Sequence, residues 1–190
     1  MNSINHTRIL TIQEFAKVQS GVFLATAPQG EIAYLQIKDL LAESPEKTAS
    51  RIPYSPKLEK HLLRRGDLLF AGKGTSNLCR VIDFEHPAIA STTFYIIRID
   101  DGGILPDYLC WYLSQPKTLA TIKAGQVGTG TPLIRKQILE NLEIAIPDLK
   151  TQRQIVELAK LQTREKELYL AIAEKRQLIT NQLIMNKLNK

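Results

Sequence analysis

No part of the sequence limits the possible folds as strongly as residues 151–190, which contain neither glycine nor proline. Good helix formers dominate this segment, and nothing inside it would end a helix. The sequence therefore predicts a single helix of nearly forty residues. At about 1.5 Å per residue such a helix would be roughly 55–60 Å long, so we expect it to extend beyond the core of a small domain.

Apolar residues recur along one side of this predicted helix. Their separations of 3, 7, 4, 7 and 4 positions place them on one stripe, and they are Leu158, Leu161, Leu168, Ile172, Ile179 and Leu183. A stripe of this length needs a partner helix, and no second helix of comparable length is predicted in the chain. Pairing with another chain is therefore favoured, and a helix that frays near its C-terminus is the alternative.

Residues 1–150 have a different character, with short apolar runs between turn residues. Periodicity and turn signals predict strands at residues 33–38, 68–70, 88–90, 92–99 and 143–146 and helices at 106–113, 116–124 and 134–142. Because strands and helices mix without a regular βαβ alternation, the predicted fold class is α+β. We expect one domain over residues 1–150 and a coiled-coil-type helix over residues 151–190.

The net charge of +6 is concentrated in two stretches of the sequence. Residues 57–80 contain six basic and two acidic side chains, and residues 117–136 contain four basic side chains and no acid. If the fold brings these stretches together, they form a patch suited to a polyanion. Two solvated basic faces without a partner are the other interpretation.

Neither glycine cluster has the spacing of a nucleotide site. Gly125, Gly128 and Gly130 are spaced G-x-x-G-x-G and follow a predicted helix, whereas a dinucleotide site needs G-x-G-x-x-G between a strand and a helix. Five residues separate Gly66 from Gly72, whereas a P-loop has four.

The remaining side chains give no catalytic or metal-binding pattern. The three histidines are dispersed, and Cys79 and Cys110 lie 31 positions apart with no metal-ligand spacing, so we expect both thiols to be packed as small apolar groups. The sequence also lacks a signal peptide and a membrane-length apolar run, so a cytoplasmic location is expected. We therefore predict a recognition protein without a catalytic site, metal or cofactor.

Five blocks of the sequence occur in the order found in a known family. They are Gly21 and residues 34–40, 66–74, 128–131 and 138–156. The last block is the most specific, because the pattern I-x-I-P-x-L-x-x-Q-x-x-I-V leads directly into the long helix. In these blocks the chain resembles, over nearly its whole length, the specificity (S) subunits of type I restriction–modification systems.

This resemblance implies a mixed-sheet target recognition domain at residues 1–150 that reads one half of a bipartite DNA sequence. It also implies a spacer helix at residues 151–190 that docks methyltransferase subunits. Typical members carry two of each, and this sequence has one. Two copies, or this chain and a second S polypeptide, would pair through the helices, and antiparallel two-fold pairing of identical copies would select an interrupted palindrome.

The resemblance further implies that the chemistry belongs to partner subunits. Methyl transfer from S-adenosylmethionine would take place in the methyltransferase subunit, and DNA cleavage in the translocating restriction subunit. The chain itself would be non-catalytic. A helical adaptor that does not bind DNA and a DNA-modifying enzyme are the alternative functions.

We expect the DNA contacts on the two basic stretches and on their glycine-containing loops. Glycines let backbone N–H groups approach phosphates, and polar side chains can bond phosphates or base edges. The candidate residues are Lys57, Lys73, Ser76, Asn77, Arg80, Lys123, Gln126, Thr129, Thr131, Arg135 and Lys136. For residues 125–134, a tight turn that only links two helices is the alternative.

Overall fold

The computed structural model describes residues 7–26, 29–74, 78–125 and 132–188. The chain divides into two compact units, Met1–Gln152 and Arg153–Lys190. The first unit contains three sheets and several short helices, and the second consists of most of one long helix. The α+β class with a long C-terminal helix is therefore confirmed.

The N-terminal strand pairs with the last strand of the first unit. β1 (Arg8–Thr11), α1 (Ile12–Phe15) and β2 (Ala16–Ser20) follow one another directly, and β1 is antiparallel to β9 (Glu143–Ile146). Glu14 caps α1 by accepting hydrogen bonds from the Thr11 backbone N–H at 2.6 Å and from the Thr11 hydroxyl at 2.7 Å.

The largest sheet has four antiparallel strands in the order β2–β8–β5–β6, with β5 at Leu68–Ala71, β6 at Cys79–Val81 and β8 at Phe94–Ile99. Its register pairs Ser20 with Tyr95 and Ala71 with Phe94. β2 and β5 therefore end, and β8 begins, at the same end of this sheet.

A second sheet is mixed and has the order β4–β3–β7, with β3 at Ile32–Leu35, β4 at Ser50–Ile52 and β7 at Ala88–Ala90. β3 runs antiparallel to β4 and parallel to β7. The predicted strand at residues 33–38 is wrong after Leu35, because Gln36 begins a 3₁₀ helix at Ile37–Leu41. The Asp39 carboxylate accepts the Gln36 backbone N–H at 2.8 Å and ends the extended segment.

Proline begins several of the helices, as expected from its fixed φ and missing N–H. These helices are α2 (Pro45–Thr48), a 3₁₀ helix at Pro56–His61, α3 (Pro106–Leu113) and α4 (Pro116–Ala124). The predicted helices at 106–113 and 116–124 are confirmed. The helix predicted at residues 134–142 is shorter, because α5 covers only Lys136–Glu140 and the Ile134 N–H instead donates to Gly72 O at 2.9 Å.

The inner strands β5 and β3 are buried on both faces. In β5, Leu68 and Phe70 contribute to a core cluster shared with α3, α4 and α5, whereas Leu69 and Ala71 contribute to a cluster between the two sheets. In β3, Ala33 faces that second cluster, and Ile32 and Tyr34 join a third. Double-sided burial explains why these strands are continuously apolar and do not alternate.

The long helix α6 extends over Leu149–Leu188. The Asp148 carboxylate caps it by accepting the backbone N–H groups of Lys150 at 2.9 Å and Thr151 at 3.0 Å and the Thr151 hydroxyl at 2.8 Å. The predicted stripe residues on α6 are all at least 48% exposed. Among the described residues, none of the helices combines the length and the hydropathy that a bilayer crossing requires.

Candidate nucleic-acid interface

The two basic stretches meet where residues 72–74 pair with residues 132–134. The Gly74 N–H donates to Pro132 O at 3.0 Å, the Ile134 N–H donates to Gly72 O at 2.9 Å, and Lys73 forms an antiparallel bridge with Leu133. Residues about sixty positions apart in the chain are thus adjacent in the fold. This pairing brings the two stretches together at Lys73 and Leu133, whereas Arg64 of the first stretch lies beside Asp67.

Tyr95 holds this pairing against the four-stranded sheet. Its hydroxyl donates to Ile134 O at 2.7 Å, and a Cβ placed on Gly72 would come within 2.3 Å of a carbon of the Tyr95 ring. Burial raises the pKa of Tyr95, and the nearby positive charge of Lys136 partly opposes that shift. Any side chain at position 72 would displace the tyrosine ring and, with it, the basic segment.

The basic side chains on or next to these two segments are Lys73, Arg135 and Lys136, and together with Lys123 at the end of α4 we call the group the basic end of the four-stranded sheet. Lys73 is half-buried, and the other three side chains are exposed. Gly125, at the end of α4, lies so close to the Ile138 side chain that a Cβ would approach it to 2.7 Å, which brings the Lys123 end of α4 to α5. Lys136 also pairs with Glu140 at 2.9 Å.

The opposite end of the same sheet carries the acidic groups in ion pairs. Asp67 is 2% exposed. Its carboxylate accepts two hydrogen bonds from the Arg98 guanidinium, at 2.7 Å and 2.6 Å, and one from the Arg64 backbone N–H at 2.8 Å. The Asp67 and Asp100 contacts raise the pKa of Arg98, although burial opposes the shift. Lys17–Asp100 and Arg8–Asp101 pairs, at 3.4 Å and 3.6 Å, complete this end.

Two of the predicted DNA-contacting residues have other surroundings. The Arg80 guanidinium donates to the backbone carbonyls of residues 40, 42 and 43 at 2.9, 2.6 and 2.9 Å, so it holds that segment in place. Lys57 is exposed on the 3₁₀ helix at Pro56–His61, where Leu58 packs against the third core cluster. Neither side chain shows a contact with the basic end among the described residues.

The other predicted polar candidates, Ser76, Asn77, Gln126, Thr129 and Thr131, lie outside the described residues. The described residues that border them in the chain, Gly74 and Pro132, are hydrogen-bonded to each other.

The sequence reasoning did not identify Tyr95 or the turn at residues 91–93 as part of this location. Tyr95 was assigned only to a strand, and its hydroxyl acts on a carbonyl 39 positions away in the chain. The turn connects β7 to β8, with Ser91 and Thr93 hydroxyl oxygens 2.6 Å apart. Only the register of the folded sheets could have revealed either contact.

The part of the chain that the structure describes contains two thiols and no cluster of metal-ligand groups. No group of three or more His, Cys, Asp or Glu side chains suited to a metal ion occurs there. Cys79 and Cys110 are free thiols beside the first core cluster, and a hydrogen bond with Cys110, together with burial, raises the pKa of Cys79.

The sequence matches a known protein family. A family model described as the type I restriction modification DNA specificity domain matches residues 9–179. No curated protein matches the chain.

Solved structures share the fold at low identity. The S subunit of a type I restriction-modification system from M. genitalium aligns with a TM-score of 0.60 at 15% identity over 85% of this chain and 40% of its own. The HsdS subunit from Thermoanaerobacter tengcongensis gives 0.64 at 16% over 86% and 39%. A structure describing assembly and conformational transition of the type I R-M system gives 0.68 at 19% over 89% and 41%. The chain thus spans about two fifths of each.

Proposed function

The chain belongs to the family of type I restriction modification DNA specificity domains, and from that membership we propose that it is a non-catalytic specificity subunit. It reads one half of a bipartite DNA sequence with its first unit and docks methyltransferase and restriction subunits. It acts on DNA in the cytoplasm. The pairing of residues 72–74 with 132–134, which joins the segments that carry Lys73, Arg135 and Lys136, carries this proposal.

The charge distribution of the four-stranded sheet favours one orientation on a duplex. At the basic end, Lys73, Lys123 and Arg135 show no ion pair with a carboxylate among the described residues, so they are available for phosphates. At the opposite end, Asp67, Asp100 and Asp101 are paired with cations. Phosphates gain most at the basic end, because cations that neutralise them also release condensed counterions.

The second unit supports the assembly part of the proposal. Six stripe residues, all at least 48% exposed, give a seam along α6 for a partner helix. Two copies paired through this seam in an antiparallel, two-fold manner would present identical recognition surfaces, so the target would be an interrupted palindrome. Unlike half-sites at the methylated positions would contradict pairing of identical copies, unless a second S polypeptide is present.

The chemistry is assigned to the partners in this proposal. The chain carries no cofactor, S-adenosylmethionine binds the methyltransferase subunit, and the restriction subunit cleaves. The chain's own residues position the complex through phosphate contacts and select the sequence through base contacts.

The proposal is tested by selecting duplexes from a randomised pool with the full chain and its methyltransferase subunit. We expect enrichment of one bipartite sequence, and an affinity that falls steeply with salt. Lys73→Gln and Arg135→Gln should each reduce the magnitude of the negative slope of log K against log[salt] by about 1.

Lys17→Gln is the matched control for these variants, because Lys17 lies at the opposite end of the same sheet, where it pairs with Asp100. It should leave the slope unchanged. If the wild-type chain enriches no sequence and shows no salt-dependent binding, the protein is a helical adaptor and the proposal fails.

A further inference from the structure

Phe23 is held in an exposed position by a rigid backbone on both sides. The Val22 N–H donates to Ala90 O at 3.0 Å, and the Tyr34 hydroxyl donates to Val22 O at 2.9 Å and accepts the Leu24 N–H at 3.3 Å. Val22 and Leu24 both pack against the third core cluster. Phe23 between them is 83% exposed, more than any other large apolar side chain among the described residues.

The turn at residues 91–93 lies between the segment that carries Phe23 and the segment that carries Lys73. On one side of this turn, Val22 pairs with Ser91 and the Gly21 N–H donates to Phe94 O at 3.0 Å. On the other side, the Gly72 N–H donates to Thr93 O at 2.9 Å. The segments that carry Phe23 and Lys73 thus leave β2 and β5 at the same end of the sheet, two strand spacings or about 10 Å apart.

A single exposed apolar side chain needs no functional explanation by itself. Here, however, the segment that holds this ring and the segment that carries Lys73 leave the four-stranded sheet at the same end. A phenyl ring cannot bond a phosphate, but it can pack against a thymine methyl group or enter a base step. We infer that Phe23 contacts the bases of the duplex whose phosphates lie on Lys73 and Arg135, and so contributes to sequence selection. This inference rests on the proposed function.

The test measures affinity for the duplex enriched in the selection described above, using the full chain with its methyltransferase subunit. Phe23→Ala should weaken binding by about tenfold or more, the loss typical of a removed aromatic–base contact. The salt slope should stay unchanged because no charge is removed. Phe23→Trp should restore binding, and its added indole fluorescence, above that of Trp111, should be quenched by the duplex.

Ile9→Ala is the matched control. Ile9 is 66% exposed, and its neighbour Arg8 pairs with Asp101 at the end of the sheet opposite to the basic end. This variant should bind the duplex as the wild type does, and both alanine variants should melt at the wild-type temperature.

The outcomes separate this inference from the proposed function. If the wild type binds the enriched duplex and Phe23→Ala binds it equally well, the inference fails and the proposed function stands. Loss of methyltransferase binding with unchanged duplex affinity would make Phe23 a protein contact and also overturn it. Indole fluorescence of Phe23→Trp that the duplex does not quench would also overturn the inference. This result does not depend on whether the alanine variant folds. Failure of the wild type to bind any duplex would remove the proposed function itself.

Discussion

Gln152 is fully buried and uses its whole side-chain amide. Its nitrogen donates to Gly103 O and Pro147 O, both at 2.8 Å, and its oxygen accepts the Leu105 N–H at 2.9 Å. It is also the glutamine of the I-x-I-P-x-L-x-x-Q-x-x-I-V pattern. This amide joins the start of α6 to residues 103–105 and to Pro147, all of which belong to the first unit. The glutamine of the pattern therefore has a structural role.

Replacing Gln152 by leucine should destabilise the first unit. The change keeps the volume but leaves one N–H and two carbonyls without a partner, and each unsatisfied group costs about 1–3 kcal/mol. Allowing for partial relaxation, we expect a loss of about 2–4 kcal/mol in the free energy of unfolding, measured by urea denaturation. The exposed Gln154 is two positions away, and Gln154→Leu should change stability by less than about 0.5 kcal/mol. Equal stability of the two variants would contradict this role.

Glycine at two positions is required by close packing. A Cβ on Gly21 would lie 2.1 Å from Ser91 O, a backbone atom that cannot move aside easily, and a Cβ on Gly72 would meet the Tyr95 ring. Both glycines belong to segments that connect sheet ends to the candidate interface. The sequence marked them as notable, but which atoms exclude a side chain became clear only from the register.

The long helix begins at an acidic cap whose strength depends on pH. Hydrogen bonds from the backbone and hydroxyl of Thr151 lower the pKa of Asp148 below its ordinary value of 3.8. A lowered pKa in the folded state means that the cap stabilises the helix above about pH 3.8. That contribution is lost as the pH falls through the lowered pKa.

Amide hydrogen exchange at Lys150 and Thr151 should report this loss. We expect protection of both amides to decrease in the wild type as the pH is lowered below 3.8 and through the lowered pKa of Asp148. Asp148→Asn keeps an accepting oxygen and does not titrate, so its protection should change less over the same range. Asp148→Ala should exchange faster at every pH. A wild-type profile identical to that of the asparagine variant would show that the carboxylate charge is unimportant.

Elements governed by local signals were predictable, and those made by distant partners were not. α6 was predictable because forty positions without glycine or proline leave no place for it to end, and α3 and α4 because proline marks their first turns. β4 and β6 each have an arginine at the centre of three residues and so lack the apolar run that marks β7, and they exist because they pair with β3 and β5.

The candidate interface shows the same division. Its cations were identified because charge can be counted along the sequence. Their convergence depends on the bridge between Lys73 and Leu133, which no local pattern encodes. The side chain of Arg80 illustrates the converse, because a cation that looks available in the sequence is bound to three carbonyls in the fold. Charge therefore indicates a class of partner, whereas the availability of each cation depends on contacts between distant segments.

In the proposed function, the two units have separate tasks. The first carries the basic end on a sheet whose opposite end pairs its carboxylates with cations, and the second carries an apolar seam along a helix. A subunit that reads only one half-site gains specificity by pairing, because two linked readers bind with the second site at high effective concentration. Self-association through α6 would therefore be part of recognition, as well as of assembly.

Self-association can be tested with two leucines of α6 that lie on different sides of the helix. Leu168 is in the predicted stripe and Leu170 is not, and two positions correspond to a rotation of about 200°. Both side chains are comparably exposed, at 48% and 57%. Light scattering at several concentrations should give the mass of two chains for the wild type and for Leu170→Glu. It should give the mass of one chain for Leu168→Glu, because a carboxylate would be buried in the seam. A wild type that stays monomeric, or two variants that dissociate alike, would assign α6 to a different protein and end the expectation of a palindromic target.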